Sequence, residues 1–157
     1  MIPQSLRILM VCSGNTCRSP LASAMLSSRL NAMPQITGVM VESAGTSARP
    51  GDPASEGSAL MARERGLDLA THRARLLTAD LVHRADLILA MSSSHLTRIA
   101  QLGGAEKAHL LTAYVGEVGM DVADPFGSDI AGYRDTAQQL DRVVAQVVIR
   151  LQRERAA

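Results

Sequence analysis

The chain has 157 residues, 46% of them apolar and 20% charged, with a formal net charge of +1. This is the length and balance of a single domain, 1–157, that buries a core without disulfide staples. It excludes the basic footprint of a nucleic-acid or anionic-membrane binder. Aromatic residues make up only 2%, so the expected core is aliphatic, with the eight methionines as gap-fillers. The longest apolar runs are too short to cross a bilayer, and no signal-peptide pattern opens the chain. Two cysteines in such a chain predict a reducing, cytoplasmic setting in which thiols stay reactive.

Leu6–Val11 is apolar apart from Arg7 and runs into a Gly-containing loop, which predicts a buried strand. Ser19-Pro20 then opens a helix, with Ser as N-cap and Ala22, Met25, Leu26 and Leu30 on its apolar face. Val39–Ala44 reads as a second strand and Thr46–Pro53 as a loop. Ser55 caps a helix through Arg65 that stops at Gly66, and Thr78–Arg84 is a short helix. Asp86–Met91 is a third strand and Ser92–Leu102 a helix stopped by Gly103-Gly104. His109–Tyr114 is a fourth strand, Val115–Gly127 a loop, and Ile130–Arg153 a closing helix. Its stripe is Tyr133, Ala137, Leu140, Val144, Val147 and Leu151. Strands alternating with helices predict an α/β fold: a four-stranded parallel sheet covered on both faces, in three layers. Ligands of such sheets bind at the carboxyl ends of strands. The loops after the first and last strands are therefore expected to meet.

The first of these loops is Cys12-Ser13-Gly14-Asn15-Thr16-Cys17-Arg18-Ser19-Pro20. Seven residues entering a helix turn several backbone N–H groups toward one point, which makes an anion site reinforced by the helix dipole. Gly14 lets the backbone approach the anion. Arg18 offers a fork that matches two phosphoryl oxygens. The same positive field stabilises a thiolate at Cys12, a nucleophile aimed at phosphorus, to which Ser19 can donate its hydroxyl. The second loop carries Asp124-Pro125-Phe126-Gly127. Asp124 is the candidate acid for the leaving group, with Asp121 as runner-up; Phe126 either walls the pocket or joins the core.

These residues closely resemble the low-molecular-weight protein phosphatase family, over essentially the whole chain. The signature is Cys12, Gly14, Asn15, Cys17, Arg18, Ser19 and Pro20, followed near the C-terminus by Asp124-Pro125-Phe126. The resemblance implies a phosphocysteine intermediate, with Cys12 as nucleophile, Arg18 as phosphate ligand and Asp124 as general acid. It also implies that Asn15 holds the loop through hydrogen bonds to Ser43 and His72. Thr16, with the Asp-Pro-Phe-Gly loop, is the pattern of members that act on phosphoarginine; tyrosine-specific members usually carry an aliphatic residue at that position. The expected partner is a phosphorylated protein substrate, with inorganic phosphate as product and no metal or organic cofactor.

Other readings stand beside this one. A tyrosine phosphatase of the same family is the main alternative. Thioredoxin-linked arsenate reductases need a further cysteine pair that this chain lacks. A non-catalytic phosphate or redox sensor would keep the cradle but needs no acid. Cys17 is either a resolving thiol for Cys12 or a packing residue under the loop. Arg49 faces the pocket mouth or is simply solvated. His83, His95 and His109 lack metal-ligand spacing and read as structural. The basic residues at the C-terminal end suit a solvated helix end.

Overall fold

The computed structural model describes residues 5–117 and 120–156, and positions 118–119 of the predicted acid-bearing loop lie outside them. β1 (Leu6–Cys12), β2 (Val39–Gly45), β3 (Leu87–Ala90) and β4 (Ala108–Leu110) form one parallel sheet in the order β2-β1-β3-β4. The register runs Leu6 opposite Val39 to Cys12 opposite Gly45, and Ile8 opposite Leu87 to Val11 opposite Ala90. β1 is thus central, and its carboxyl end delivers Cys12 to the middle of the sheet edge.

Alternate β1 side chains sort into two cores, as the period of two requires. Ile8, Met10 and Cys12 join the larger cluster with Leu26, Met61, Leu140, Val144 and Leu151. These come from α1 (Arg18–Asn31), α2 (Glu56–Glu64) and α6 (Ile130–Ala156). Leu9 and Val11 join the smaller cluster with Leu81, Val82 and Ile99, from α3 (Ala79–Arg84) and α4 (Ser93–Gln101). Ala137, Leu140, Val144, Val147 and Leu151 of the predicted stripe are all fully buried. Ser55 and Thr78 cap α2 and α3 by accepting from Ser58 N (3.3 Å) and Leu81 N (3.2 Å).

Two local expectations fail. The predicted strand His109–Tyr114 pairs only as far as Leu110, and Leu111–Tyr114 (α5) turns helical. A helical turn places Leu111 and Tyr114 on one side, where both are buried. Arg150 fixes this turn by donating to Tyr114 O (2.6 Å) and lying 3.8 Å over its ring. The second failure is the cap of α1. The helix starts at Arg18, Cys17 holds the cap position without a side-chain bond, and Ser19 is already helical. The Ser19 hydroxyl is engaged elsewhere, in the loop.

Candidate active site

Cys12 Sγ lies 3.0 Å from Ser19 Oγ. Asn15 Nδ2 donates to the same Ser19 oxygen (2.8 Å), so the hydroxyl proton is free to point at sulfur. Asn15 has φ of 55°, the only left-handed non-glycine among the described residues, and Asn tolerates that region better than most residues. Its side chain explains why it stays there. Nδ2 also donates to Ser43 Oγ (2.9 Å), Oδ1 accepts from Arg75 N (2.8 Å), and its carbonyl accepts from His72 Nε2 (2.7 Å). Burial pulls the His72 pKa down against the pull of that hydrogen bond, with Arg73 and Arg75 adding to the lowering. Asn15, Ser43 and His72 therefore meet as the resemblance implied.

The loop is clamped from outside as well. A side chain at Gly45 would meet Ser13 O at 2.4 Å and Asn15 N at 2.9 Å, so only glycine lets the end of β2 approach this closely. Thr46 N and Ser47 N donate to the carbonyls of Cys12 (3.0 Å) and Ser13 (2.9 Å). On the α2 side, Ser55 N donates to Thr16 O (2.9 Å) and Ser58 Oγ to Cys17 O (2.9 Å). The Cys17 thiol sits 3.2 Å from Ser55 Oγ and 3.6 Å from Tyr133 Oη. Cys17 thus packs beneath the loop, and both thiols are buried and free.

Arg18 is 4% exposed. Its Nη1 donates to Ser92 Oγ (2.8 Å) and Val122 O (3.0 Å), and its Nη2 lies 3.5 Å from Asp124. Its buried Nε has no hydrogen-bond partner among the described residues. One edge of the guanidinium is therefore anchored by protein, while Nε and Nη2 form the fork a phosphoryl group would take.

Cys12, Ser13, Gly14, Thr16, Cys17, Arg18, Asp124 and Phe126 line one cavity of about 460 Å³. Phe126 is 77% exposed on its rim, which removes it from the core. Arg49 also reaches this mouth. Asp121 does not line it; its Oδ1 takes the N–H of Ser93 (3.0 Å) at the start of α4. A larger depression of about 800 Å³ lies between α2 and the start of α6, but its lining holds neither a thiol nor a loop cradle. No group of three His, Cys, Asp or Glu side chains suited to a metal ion occurs among the described residues.

Sequence reasoning missed two features here. Asp52 adds a second carboxylate to the cavity wall, from a loop with no motif of its own. His95, read as structural, is a site neighbour: it is 3% exposed, its Nδ1 accepts from Ser92 N (3.0 Å) and its Nε2 lies 2.9 Å from Ser13 Oγ. Burial first, and Arg18 second, push its pKa down to about 4 despite Asp121 and Asp124. The one available signal was Ser92-x-x-His95 after an apolar strand, the spacing of a capping box.

The arrangement suits nucleophilic attack by sulfur on a phosphoryl group held by loop amides and Arg18. Comparison with known proteins agrees. Residues 7–157 match the model of the low molecular weight phosphotyrosine protein phosphatases. The protein-arginine-phosphatase of Geobacillus stearothermophilus is 37% identical over 150 residues, covering 94% of this chain and 97% of that protein. EpsP of Ralstonia nicotianae, named as a probable low molecular weight protein-tyrosine-phosphatase, is 36% identical over 145 residues, covering 92% and 94%. A cysteine-to-serine variant of the YwlE arginine phosphatase, solved with its active-site serine phosphorylated, superposes with a TM-score of 0.89 at 35% identity, covering 96% of this chain and 99% of that one. The chain is a phosphatase and belongs to the low molecular weight phosphotyrosine protein phosphatase family.

Proposed function

We propose that this chain is a protein-arginine phosphatase acting through a phosphocysteine intermediate, with Cys12 as nucleophile, Arg18 as phosphate ligand and Asp124 as general acid. The observation that carries the substrate class is the lining of the cavity. Two carboxylates, Asp52 and Asp124, line the same cavity as the Cys12–Arg18 loop, and among the described residues its one aromatic lining residue is the exposed Phe126. A guanidinium group is planar, cationic and all donors, and is matched by carboxylates. A phenol ring is held best by aromatic walls, and among the described residues this lining supplies Phe126 alone.

In the first step Cys12 sulfur attacks phosphorus, the P–N bond breaks, and Asp124 delivers a proton to the leaving nitrogen. The phosphoryl oxygens take up the Arg18 fork, and Ser13, Gly14, Asn15, Thr16, Cys17, Arg18 and Ser19 surround the transferring group. In the second step Asp124 accepts a proton from water, whose oxygen attacks phosphorus. Inorganic phosphate leaves and Cys12 departs as a thiolate, steadied by the Ser19 hydroxyl. The Asn15–Ser43–His72 contacts support the loop throughout. The working partner is a phosphorylated protein in the cytoplasm, where both thiols remain reduced; neither nucleic acid nor membrane is part of this reading. Among the described residues, no helix is long and apolar enough to cross a membrane.

The test is phosphate release from phosphoarginine and phosphotyrosine proteins in parallel, with Cys12→Ser as the blank. Preferential release from phosphoarginine is expected. Preferential release from phosphotyrosine would overturn the substrate class while keeping the mechanism, and release that survives Cys12→Ser would overturn the mechanism.

A further inference from the structure

We infer that His95 is a positioning residue for phosphoryl transfer: it turns the Ser13 hydroxyl into an oriented donor aimed at the phosphoryl group. The inference rests on reading the Cys12–Arg18 loop as a phosphate cradle. Its geometry is fixed by three groups. His95 is the third residue of α4, and its Nδ1 accepts the N–H of Ser92, 3.0 Å away. An imidazole nitrogen that accepts a hydrogen bond carries no proton, so the neutral ring carries its proton on Nε2. Nε2 lies 2.9 Å from Ser13 Oγ, and Nε2 is therefore the donor.

This assignment decides where the serine proton goes. A hydroxyl has one proton and two lone pairs. His95 occupies one lone pair, and the Ser13 proton cannot return to a nitrogen that already holds one. Ser13 follows Cys12 directly and lines the cavity. A guanidinium leaving group brings only donors into that cavity, so the acceptors a substrate brings there are the phosphoryl oxygens. Ser13 then supplies a side-chain donor beside the loop amides, set before substrate arrives. The same helix end governs the neighbouring contact, because Ser92 Oγ holds Arg18 Nη1 at 2.8 Å. The first turn of α4 thereby aligns two separate phosphate ligands, though it touches the phosphate with neither His95 nor Ser92.

The test is a double-mutant cycle on kcat, using an aryl phosphate and a phosphoarginine peptide, with the urea midpoint as a folding control. His95→Ala and Ser13→Ala should each lower kcat by about ten- to a hundredfold on both substrates, the range for losing a hydrogen bond to a charged group. The double variant should be no slower than either single one, because His95 acts through Ser13. His95→Gln keeps an acceptor for Ser92 N–H and a donor for Ser13, and should recover most of the loss. Multiplying effects in the double variant would overturn the inference. So would a loss confined to one substrate, or a Gln variant as slow as Ala with the urea midpoint preserved. Should His95→Ala fail to fold, Ser13→Ala with unchanged kcat overturns it alone. Failure of the cradle reading itself would show separately, as activity that survives Cys12→Ser.

Discussion

His95 also gives the protein a defined acid sensitivity. In the folded state its ring takes up a proton only near pH 4, against 6.5 for an ordinary histidine. The causes are burial and the Arg18 guanidinium, partly offset by Asp121 and Asp124. Between those two values the unfolded chain binds the proton and the folded chain does not. Stability therefore rises with pH across that window, is fully present above 6.5, and is lost as the pH falls. At 1.36 kcal/mol per pH unit, the loss is about 2 kcal/mol at about pH 5 and about 3 kcal/mol at about pH 4. His72 and His109 are also held below the usual value by burial and contribute with the same sign. The informative quantity is therefore a difference, that between the wild type and His95→Gln, which has no proton to accept. Urea unfolding followed by circular dichroism, in steps from about pH 7 to about pH 5, should show the stability gap moving by about 2 kcal/mol in favour of the variant. Parallel pH profiles would refute the reasoning, because they would mean that the ring protonates alike folded and unfolded.

Gly45→Ala should be severe for its size. A methyl group 2.4 Å from Ser13 O forces the loop to move, costing about 1–3 kcal/mol of stability. Activity should fall further than stability does, which a comparison of urea midpoint with kcat/KM would show. Asp52→Asn should lower kcat/KM for phosphoarginine by about tenfold, as for a charge-assisted hydrogen bond, and leave an aryl phosphate nearly unchanged. Thr16→Ile should move the same ratio in the same direction, toward phosphotyrosine; an unchanged ratio would remove Thr16 from the specificity argument.

The sequence carried the parts of this molecule that are local. The apolar run of β1, the loop from Cys12 to Arg18 and the stripe on α6 are each contiguous or periodic, so spacing alone located them. Ser43 and His72 were reached only through family resemblance, because nothing in their own neighbourhoods distinguishes them. His95 and Asp52 were missed for a physical reason. Each acquires its role from elements that meet only when the sheet forms, β1 with α4 in one case and the loop after β2 with the acid loop in the other. The failure at β4 has the opposite cause: an apolar run with strand-like composition turned helical because two side chains had to enter the core on one side.

The segment that bears Asp124 is joined to the sheet at Val122. Its N–H donates to Met91 O (2.7 Å), just past β3, while its carbonyl accepts from Arg18 Nη1 (3.0 Å). Val122 is 1% exposed, so this junction is a buried anchor, two residues before Asp124. The carbonyl that anchors Arg18 therefore belongs to the segment that brings Asp124 to the cavity. One buried residue thus ties three parts of the molecule together: the end of β3, the Arg18 guanidinium and the segment that carries Asp124.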